Sequence, residues 1–347
     1  MARTMKAAVM TAAKSGSLEV QDVPVPEVGP RDVLIRVKMA SICGTDLHIY
    51  KWDPFVASRL STPLILGHEF CGVVEKVGDK VKGTKPGEYV SAEGHFFCDR
   101  CVQCRRDQRH ICQNLKVLGV DVNGAFAEEV VVPVQNVVKN DPDLKEEYAS
   151  IQDPLGNAVH TVFAGDCSGL NVAVIGAGPI GLMATAVLRK IGASKVFVIE
   201  GKNSFRLDIA KKLGADHALL AGPKAEQTVL DATDGVGVDE VLEMSGNENG
   251  LRSALRLVRA GGGIELLGLY PAEIPVDMSN GVVLKGITLR GIHGRKIFDT
   301  WHKMAGLLRS GLNLDPVITH RFRLDEVHKG FEAMESGQCA KVVLKVS

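Results

Sequence analysis

The pattern of apolar and polar positions differs between two regions of the chain. Up to about residue 155, short apolar segments are broken by Gly and Pro, which is typical of a β-rich domain. The strands predicted there cover residues 6–10, 18–23, 32–38, 71–77 and 88–91. From about residue 157, apolar segments alternate with helical periods, which predicts a parallel, doubly wound sheet. We therefore expect a barrel-like β domain followed by an α/β domain.

The second region contains apolar segments for about six strands. These strands cover residues 172–175, 195–199, 216–220, 238–245, 263–269 and 287–292, with helices at 182–191, 204–213 and 251–258. Helices near 296–310 and 324–336 and a strand at 341–346 follow. A seventh strand has no place in the completed sheet, so we assign this tail to the first domain. The predicted domains are residues 1–156 plus 294–347, and residues 157–293.

Length and charge narrow the possible functions. A chain of 347 residues is long for one core and predicts two domains. Basic and acidic residues balance at 41 each, and no basic stripe is interleaved with aromatic residues, which argues against a nucleic-acid partner. The N-terminal segment lacks the apolar core of a signal peptide, and no apolar segment is long enough to span a membrane. We expect a soluble, cytoplasmic protein.

A glycine-rich turn follows the strand predicted at residues 172–175. Gly176, Gly178 and Gly181 stand in the spacing G-x-G-x-x-G, a helix follows, and the next strand ends at Glu200. Such glycines can form merely a tight turn, but strand, helix and acid in this order predict a dinucleotide site. The carboxylate of Glu200 can accept hydrogen bonds from both ribose hydroxyls and would repel a 2′-phosphate, which favours NAD over NADP.

Four of the eight cysteines lie close together in one segment. They are Cys98, Cys101, Cys104 and Cys112. Four thiolates match a closed, tetrahedral structural zinc site, although free thiols or an iron–sulfur cluster would use the same residues. Nearby basic side chains would offset the charge of four thiolates on one divalent ion. These side chains are Arg100, Arg105, Arg106 and Arg109.

A second set of possible metal ligands is dispersed along the chain. Cys43, His68 and Glu69 combine one thiolate, one imidazole and one carboxylate, which leaves an open coordination position as catalytic zinc requires. Taken singly, Cys43 could be a small buried residue, His68 a hydrogen-bonded core histidine and Glu69 a solvated charge. Together with the dinucleotide unit, they predict a catalytic zinc site.

The order of these motifs resembles that of the zinc-dependent medium-chain alcohol dehydrogenases. Cys43-Gly-Thr-Asp-x-His48, then Gly-His68-Glu69, the four-cysteine segment and the glycine turn together extend the resemblance over essentially the whole chain. It implies a GroES-like first domain, a Rossmann second domain, and NAD and two zinc ions per chain as cofactors. Cys43, His68 and Glu69 would hold the catalytic zinc, and the four clustered cysteines would hold the structural one.

The resemblance also implies roles for further residues. Thr45 and His48 would form a proton relay, Asp153 would place a carboxylate near the catalytic zinc, and His95 would line the substrate pocket. We expect Asp153 to act without ligating zinc, because its side chain is one methylene shorter than the Glu of many relatives. Besides the three glycines, the expected cofactor contacts are Ile180, Glu200, Arg206, Leu267, Gly268, Leu269, Ile292 and His293.

Three longer segments, residues 41–53, 153–161 and 291–301, resemble one subfamily. This resemblance implies oxidation of L-threonine to 2-amino-3-ketobutyrate by NAD in a homotetramer. Arg295 is a candidate for binding the substrate carboxylate. One alternative is a related polyol dehydrogenase acting on sorbitol or 2,3-butanediol, and the other is a nucleotide-binding protein without catalysis. Relatives of the latter kind typically lack the zinc ligands that this chain retains.

Overall fold

The computed structural model describes residues 3–54 and 58–347 of the chain. Their contacts define two compact units. Unit 1 is formed by the residues up to Pro154 together with Ile318–Ser347, and unit 2 is Leu155–Val317. None of the helices in the described ranges is both long and apolar enough to cross a membrane.

Unit 1 is rich in β-strands, as the sequence predicts. Its strands are β1 (Thr4–Met10), β2 (Leu18–Pro24), β3 (Asp32–Ile42), β4 (Leu64–Ile65), β5 (Glu69–Val77), β6 (Tyr89–Ala92), β7 (His95–Phe96), β8 (Lys116–Val117), β9 (Glu129–Pro133), β10 (Val137–Lys139), β17 (Ile318–Arg323) and β18 (Lys341–Lys345). The largest sheet has the order β10-β6-β5-β3-β18-β17, with β9 also paired to β3. Smaller sheets have the orders β2-β1-β4 and β7-β8.

The helices of unit 1 are short. They are α1 (Gly44–Tyr50), α2 (Val102–Arg105), α3 (Glu146–Ser150) and α10 (Val327–Glu335). A further helix, α4 (Gln152–Val162), contains the boundary between the units. Of these helices only α10 was expected from the sequence, because α1, α2 and α3 are too short to show a helical period and α4 contains Pro154 and Gly156. The main apolar core of unit 1 includes Ile35, Val37, Phe70, Phe126 and Phe331.

Unit 2 contains a parallel sheet with helices between its strands. Its strands are β11 (Asn171–Ile175), β12 (Lys195–Glu200), β13 (His217–Leu220), β14 (Val238–Glu243), β15 (Val258–Leu266) and β16 (Thr288–Gly291). Within the described residues, the order is β13-β12-β11-β14-β15-β16, with every pair parallel. The predicted doubly wound sheet is therefore confirmed. The helices are α5 (Pro179–Lys190), α6 (Ser204–Lys212), α7 (Pro223–Asp231), α8 (Glu248–Leu257) and α9 (Asp299–Arg309).

The chain returns to unit 1 later than the sequence predicts. Residues 294–317 lie in unit 2, whereas we expected the first domain to resume at residue 294. Helix α9 explains the difference, since it buries Trp301 and Met304 and its Lys303 ammonium lies 5.3 Å from the Phe163 ring centroid. Lys190 on α5 also donates to the carbonyl of Ser310.

Two carboxyl groups share one guanidinium inside unit 2. Glu240, Glu265 and Arg290 lie on the adjacent strands β14, β15 and β16. Arg290 Nη1 donates to Glu265 Oε1 and lies 3.6 Å from Glu240 Oε2. Burial and the neighbouring Glu240 raise the pKa of Glu265 to about 8. The folded protein therefore retains a proton that the unfolded chain releases near pH 4.5.

This retained proton predicts a loss of stability with rising pH. Between about pH 4.5 and 8 the folded state binds more protons at Glu265, so the free energy of unfolding should fall by up to about 1.4 kcal/mol per pH unit. Urea unfolding across this range should show a flatter pH dependence for Glu265→Gln. The exposed Glu335→Gln is the control and should behave like the parent; an equal slope in Glu265→Gln would contradict the assignment.

Candidate active site

Strand pairing in unit 1 brings the three dispersed residues together. Strands β3 and β5 are antiparallel, with Ser41 opposite Glu69, so the residue after β3 lies beside the residue before β5. Those two residues are Cys43, which follows Ile42, and His68. One potential ligand atom each from Cys43, His68 and Glu69 lies within 4.8 Å of the others.

Asp46 orients two members of this group, and the sequence analysis assigned it no role. Its Oδ2 accepts a hydrogen bond from the Cys43 amide at 2.9 Å, and its Oδ1 lies 3.6 Å from His68 Nδ1. Although burial lowers it, the negative charges of Asp46 and Cys43 raise the pKa of His68 well above its usual value. The group thus attracts positive charge, and Nδ1 facing Asp46 leaves Nε2 available for a metal.

Glu69 is held by a buried lysine that the sequence analysis also missed. Lys341 Nζ lies 2.5 Å from Glu69 Oε2 and donates to the carbonyl of Ile42 at 2.8 Å. Ser41 Oγ donates to the same carboxylate oxygen. Glu69 Oε1 has no hydrogen-bond partner in the described ranges, and neither has His68 Nδ1. The signal for Lys341 in the sequence is a single charge at the start of an apolar strand.

The donor set of this group fits zinc. A thiolate, an imidazole and a carboxylate are all zinc ligands, and three protein ligands leave one position open for a substrate oxygen. The orphaned, buried Glu69 Oε1 would otherwise be a costly unsatisfied acceptor. Cys43, His68 and Glu69 could therefore hold a catalytic zinc ion.

Two of the other expected catalytic residues, Asp153 and Thr45, lie close to members of this group. A Cβ atom added to Gly94 would lie 3.5 Å from His68 Cβ and 3.6 Å from Asp153 Oδ2, so Asp153 is close to His68. Asp153 does not belong to the three-ligand group found among the described residues. Thr45 Oγ1 lies 3.8 Å from Cys43 Sγ.

The two other histidines that we expected at the site, His48 and His95, each lie near a carboxylate. His48 Nδ1 lies 3.2 Å from Asp53 Oδ2 on an exposed part of unit 1. His95 Nδ1 lies 3.6 Å from Glu93 Oε1, and the His95 amide donates to the same oxygen. An exposed, acid-paired imidazole such as His48 can exchange protons directly with solvent.

The four clustered cysteines also converge. One sulfur atom from each of Cys98, Cys101, Cys104 and Cys112 lies within 4.8 Å of the others. The backbone amide of Arg100, followed by the side chain of Asn114, lowers the pKa of Cys98 to about 5. Amides therefore favour the thiolate, as they do at metal sites. This donor set fits a closed zinc site.

Two of the arginines near this loop make contacts within it. Arg109 is paired with Asp99 and Asp107, and its guanidinium lies 5.6 Å from the Phe97 ring centroid. Arg100 favours the thiolate of Cys98 through its backbone amide. Arg109 thus pairs with nearby acids, and charge compensation of the four thiolates by the arginines stays a prediction.

The glycine turn in unit 2 has the geometry that a dinucleotide needs. Gly176 has a φ of 102°, and a Cβ on Gly181 would lie 2.0 Å from the Gly176 carbonyl oxygen. Glu200 Oε2 accepts a hydrogen bond from the Ala177 amide at 2.7 Å. Helix α5 begins directly after Gly178, its N-cap, so its first amides can bind a pyrophosphate.

The other expected cofactor residues lie in loops or first helical turns of unit 2. Asn203 caps α6 by accepting a hydrogen bond from the Arg206 amide at 3.3 Å. Ile180 lies in the first turn of α5, and Leu267, Gly268 and Leu269 directly follow β15. Ile292 donates its amide to the Leu266 carbonyl, and His293 is exposed. Arg295 is buried and donates to Asn157 Oδ1 at 3.2 Å.

Each of the two units contains a segment that matches a known protein family. Residues 29–142 match the alcohol dehydrogenase GroES-like domain, and residues 179–310 match the zinc-binding dehydrogenase model. An L-threonine 3-dehydrogenase of Caldanaerobacter subterraneus is 49% identical over 92% of this chain and 93% of its own. That of Bacillus licheniformis is 48% identical over 93% of both chains. The alcohol dehydrogenase TADH of Thermus sp. ATN1 has a TM-score of 0.88 at 33% identity, over 99% of this chain and 100% of its own.

The chain therefore belongs to the zinc-binding alcohol dehydrogenase family. It is an enzyme that uses a nicotinamide cofactor and zinc to oxidise a small alcohol. The predicted family, fold class and cofactors are confirmed. The alternative of a nucleotide-binding protein without catalysis is not retained.

The two cysteine-containing groups predict two zinc ions per chain. Cys43→Ser should lose one ion and reduce turnover by about a thousandfold or more, because it removes a ligand of the Lewis acid. Metal analysis, steady-state rates and thermal unfolding measured on the same samples test this. Cys167→Ala, which changes a buried thiol outside both groups, should keep both ions and the parental rate. A metal-stripped Cys43→Ser protein with near-parental turnover, or a parent containing iron, would contradict it.

Proposed function

We propose that this enzyme oxidises the secondary alcohol of L-threonine with NAD to give 2-amino-3-ketobutyrate. The observation that carries this proposal is the 48–49% identity to L-threonine 3-dehydrogenases over more than nine-tenths of the chain. The clustered Cys43, His68 and Glu69 supply the ligands that the reaction needs. The particular amino alcohol is inferred from the relatives, and the reaction class from the family.

The proposed metal ligands and the residues that orient them have different roles. Zinc bound at Cys43, His68 and Glu69 would supply a Lewis acid that lowers the pKa of the substrate hydroxyl. Asp46 would hold the imidazole of His68 in the ligating orientation, and Lys341 would hold the carboxylate of Glu69. Asp153 adds a negative charge beside His68 without entering the ligand group.

Thr45 and His48 form the proposed proton relay. Thr45 Oγ1, next to Cys43 Sγ, would accept the hydroxyl proton, and His48 would release it to solvent. Asp53 Oδ2 lies 3.2 Å from His48 Nδ1 and would orient the imidazole. Bound NAD would supply the acceptor for the hydride of the substrate carbon, and His95 would contact the substrate. An unchanged kcat in His48→Gln at every pH would contradict the relay.

Cofactor preference is proposed to rest on Glu200. Its carboxylate ends β12 and is bound to the Ala177 amide in the glycine turn, so its negative charge is fixed at the nucleotide loop. A 2′-phosphate would meet that charge, whereas two ribose hydroxyls could donate to it. We propose contacts to NAD from Gly176, Gly178, Ile180, Gly181, Glu200, Arg206, Leu267, Gly268, Leu269, Ile292 and His293.

The substrate assignment predicts the outcome of a direct assay. With NAD, kcat/KM for L-threonine should exceed that for sorbitol and 2,3-butanediol by at least about a hundredfold, because a site built for polar groups rejects analogues that leave them unpaired. NADH formation at 340 nm measures the rates. NADP should be the poorer cofactor with the same substrate. A preference for a polyol would support the alternative, and no turnover of any alcohol would refute both.

We also propose that the enzyme is a cytoplasmic homotetramer. The four cysteines of this loop form no disulfide, and unpaired cysteines are typical of a reducing compartment. Strand β16 is the last in its sheet, and the exposed Met278, Val283 and Leu284 lie shortly before it. An open strand edge beside exposed apolar side chains is a surface that a second copy of the chain can cover.

The tetramer proposal predicts a mass four times the 37.2 kDa of one chain. Leu284→Asp should lower that mass, since a charge would replace apolar contact at the interface. Light scattering on the eluted protein measures it. Leu220→Asp, an exposed leucine on strand β13 at the opposite sheet edge, is the matched control and should remain tetrameric. A parent eluting as a monomer would overturn the proposal.

A further inference from the structure

One buried carboxylate joins the loops that follow neighbouring strands of the parallel sheet. Glu243 is the last residue of β14 and is 0% exposed. The loop after β14 begins at Met244, and the loop after β15 begins at Leu267. Both loops lie at the carboxyl ends of parallel strands, where α/β sheets bind dinucleotides.

The two oxygens of Glu243 bond to different parts of these loops. Oε1 accepts hydrogen bonds from the amide of Ser245 at 3.0 Å and from its hydroxyl. Oε2 accepts from the Tyr270 hydroxyl at 2.6 Å and from the Gly246 amide at 3.3 Å. The carbonyl of Glu243 also accepts from the Leu267 amide at 2.9 Å. A single side chain therefore ties Tyr270 to the loop after β14.

The same loops pack main chain against main chain. A Cβ on Gly268 would lie 2.0 Å from the Gly246 nitrogen, and a Cβ on Gly246 would lie 2.4 Å from the Leu269 carbonyl oxygen. A Cβ on Gly176, in the glycine turn, would lie 2.9 Å from the Ser245 nitrogen. Because there is no free space between the loops, a shift at one of them moves the next.

Little else in the secondary structure holds the loop after β15. Residues 267–277 form neither helix nor strand. The side chain of Leu269 is 76% exposed, although apolar, and it lies directly before Tyr270. A hydrogen bond to a buried carboxylate is stronger than one between neutral groups, so the Tyr270 hydroxyl anchors this exposed segment, together with Arg252, which donates to the Pro275 carbonyl at 3.1 Å.

We propose that Glu243 and Tyr270 are positioning residues that set the affinity for the nicotinamide dinucleotide. They act through the main chain of Gly246, Gly268 and Leu269. This inference rests on the proposed NAD-dependent function. Preorganising the loop in its binding conformation lowers the entropy that cofactor binding must overcome. Loss of the Tyr270 hydroxyl should therefore weaken cofactor binding while leaving the folded core intact.

The test is cofactor affinity of the zinc-loaded protein, measured by NADH fluorescence titration. Tyr270→Phe should raise the Kd for NADH about tenfold, the cost of one hydrogen bond to a charged group. KM for NAD should rise in parallel, and KM for L-threonine should stay within about twofold. The thermal midpoint of the cofactor-free protein should be unchanged, because surface loops open independently of the core.

A second variant and a control separate positioning from general destabilisation. Glu243→Gln should weaken NADH binding at least as much, because it replaces an oxygen that accepts hydrogen bonds from these loops with an amide donor. Adding Tyr270→Phe to it should then cost less than Tyr270→Phe costs in the parent, because both changes act on the same hydrogen-bonded group. Tyr89→Phe removes a hydrogen-bonded tyrosine hydroxyl in unit 1 and should retain the parental Kd. If Glu243→Gln does not fold, Tyr270→Phe alone decides the question.

The outcomes distinguish this inference from the proposed function. A parent that does not bind NADH would refute the proposed NAD dependence. A parent that binds NADH, with Tyr270→Phe binding it equally well, would overturn only the positioning role. A lowered thermal midpoint in Tyr270→Phe with an unchanged Kd would show a purely structural role and overturn it as well.

Discussion

A buried ion pair joins distant parts of the chain at the metal-binding group. Lys341, on the last strand, reaches Glu69 and the carbonyl of Ile42, which is 299 residues away in the chain. The pairing of β18 with β3 places it there, with Val342 opposite Ile42. Removing one partner of such a pair leaves an uncompensated buried charge and costs about 3–5 kcal/mol. The C-terminal strand therefore contributes directly to the surroundings of the candidate metal site.

Carboxylates also organise unit 2, although in a different way. Glu200 holds the amide of Ala177 in the glycine turn, and Glu243 holds the loops that follow β14 and β15. Both acids end a parallel strand, where main-chain amides of the following loops are unpaired by the sheet. Each carboxylate accepts hydrogen bonds from loop amides and so ties a loop to the end of the sheet.

Local sequence motifs predicted many of the candidate site residues. The residues that they missed depend on contacts between distant segments of the chain. The spacing of four cysteines and of three glycines identified two groups because each lies within one short segment. Asp46 and Lys341 were missed because neither belongs to a spacing pattern, and each acquires its role only through a contact across the fold. The helices α1 and α3 were missed because their sequences are too short and too rich in polar residues to show a helical period.

The sequence by itself determined the alternation of strands and helices in unit 2, the β-rich character of unit 1 and the identity of the metal donors. Residue types and short spacings carry that information, because hydrophobic period and ligand chemistry are local properties. Only the tertiary structure decided that Arg295 is buried beside Asn157, that the chain returns to unit 1 at Ile318, and that Lys341 neutralises Glu69. Each of these depends on strand register and side-chain packing between distant segments, which no local pattern encodes.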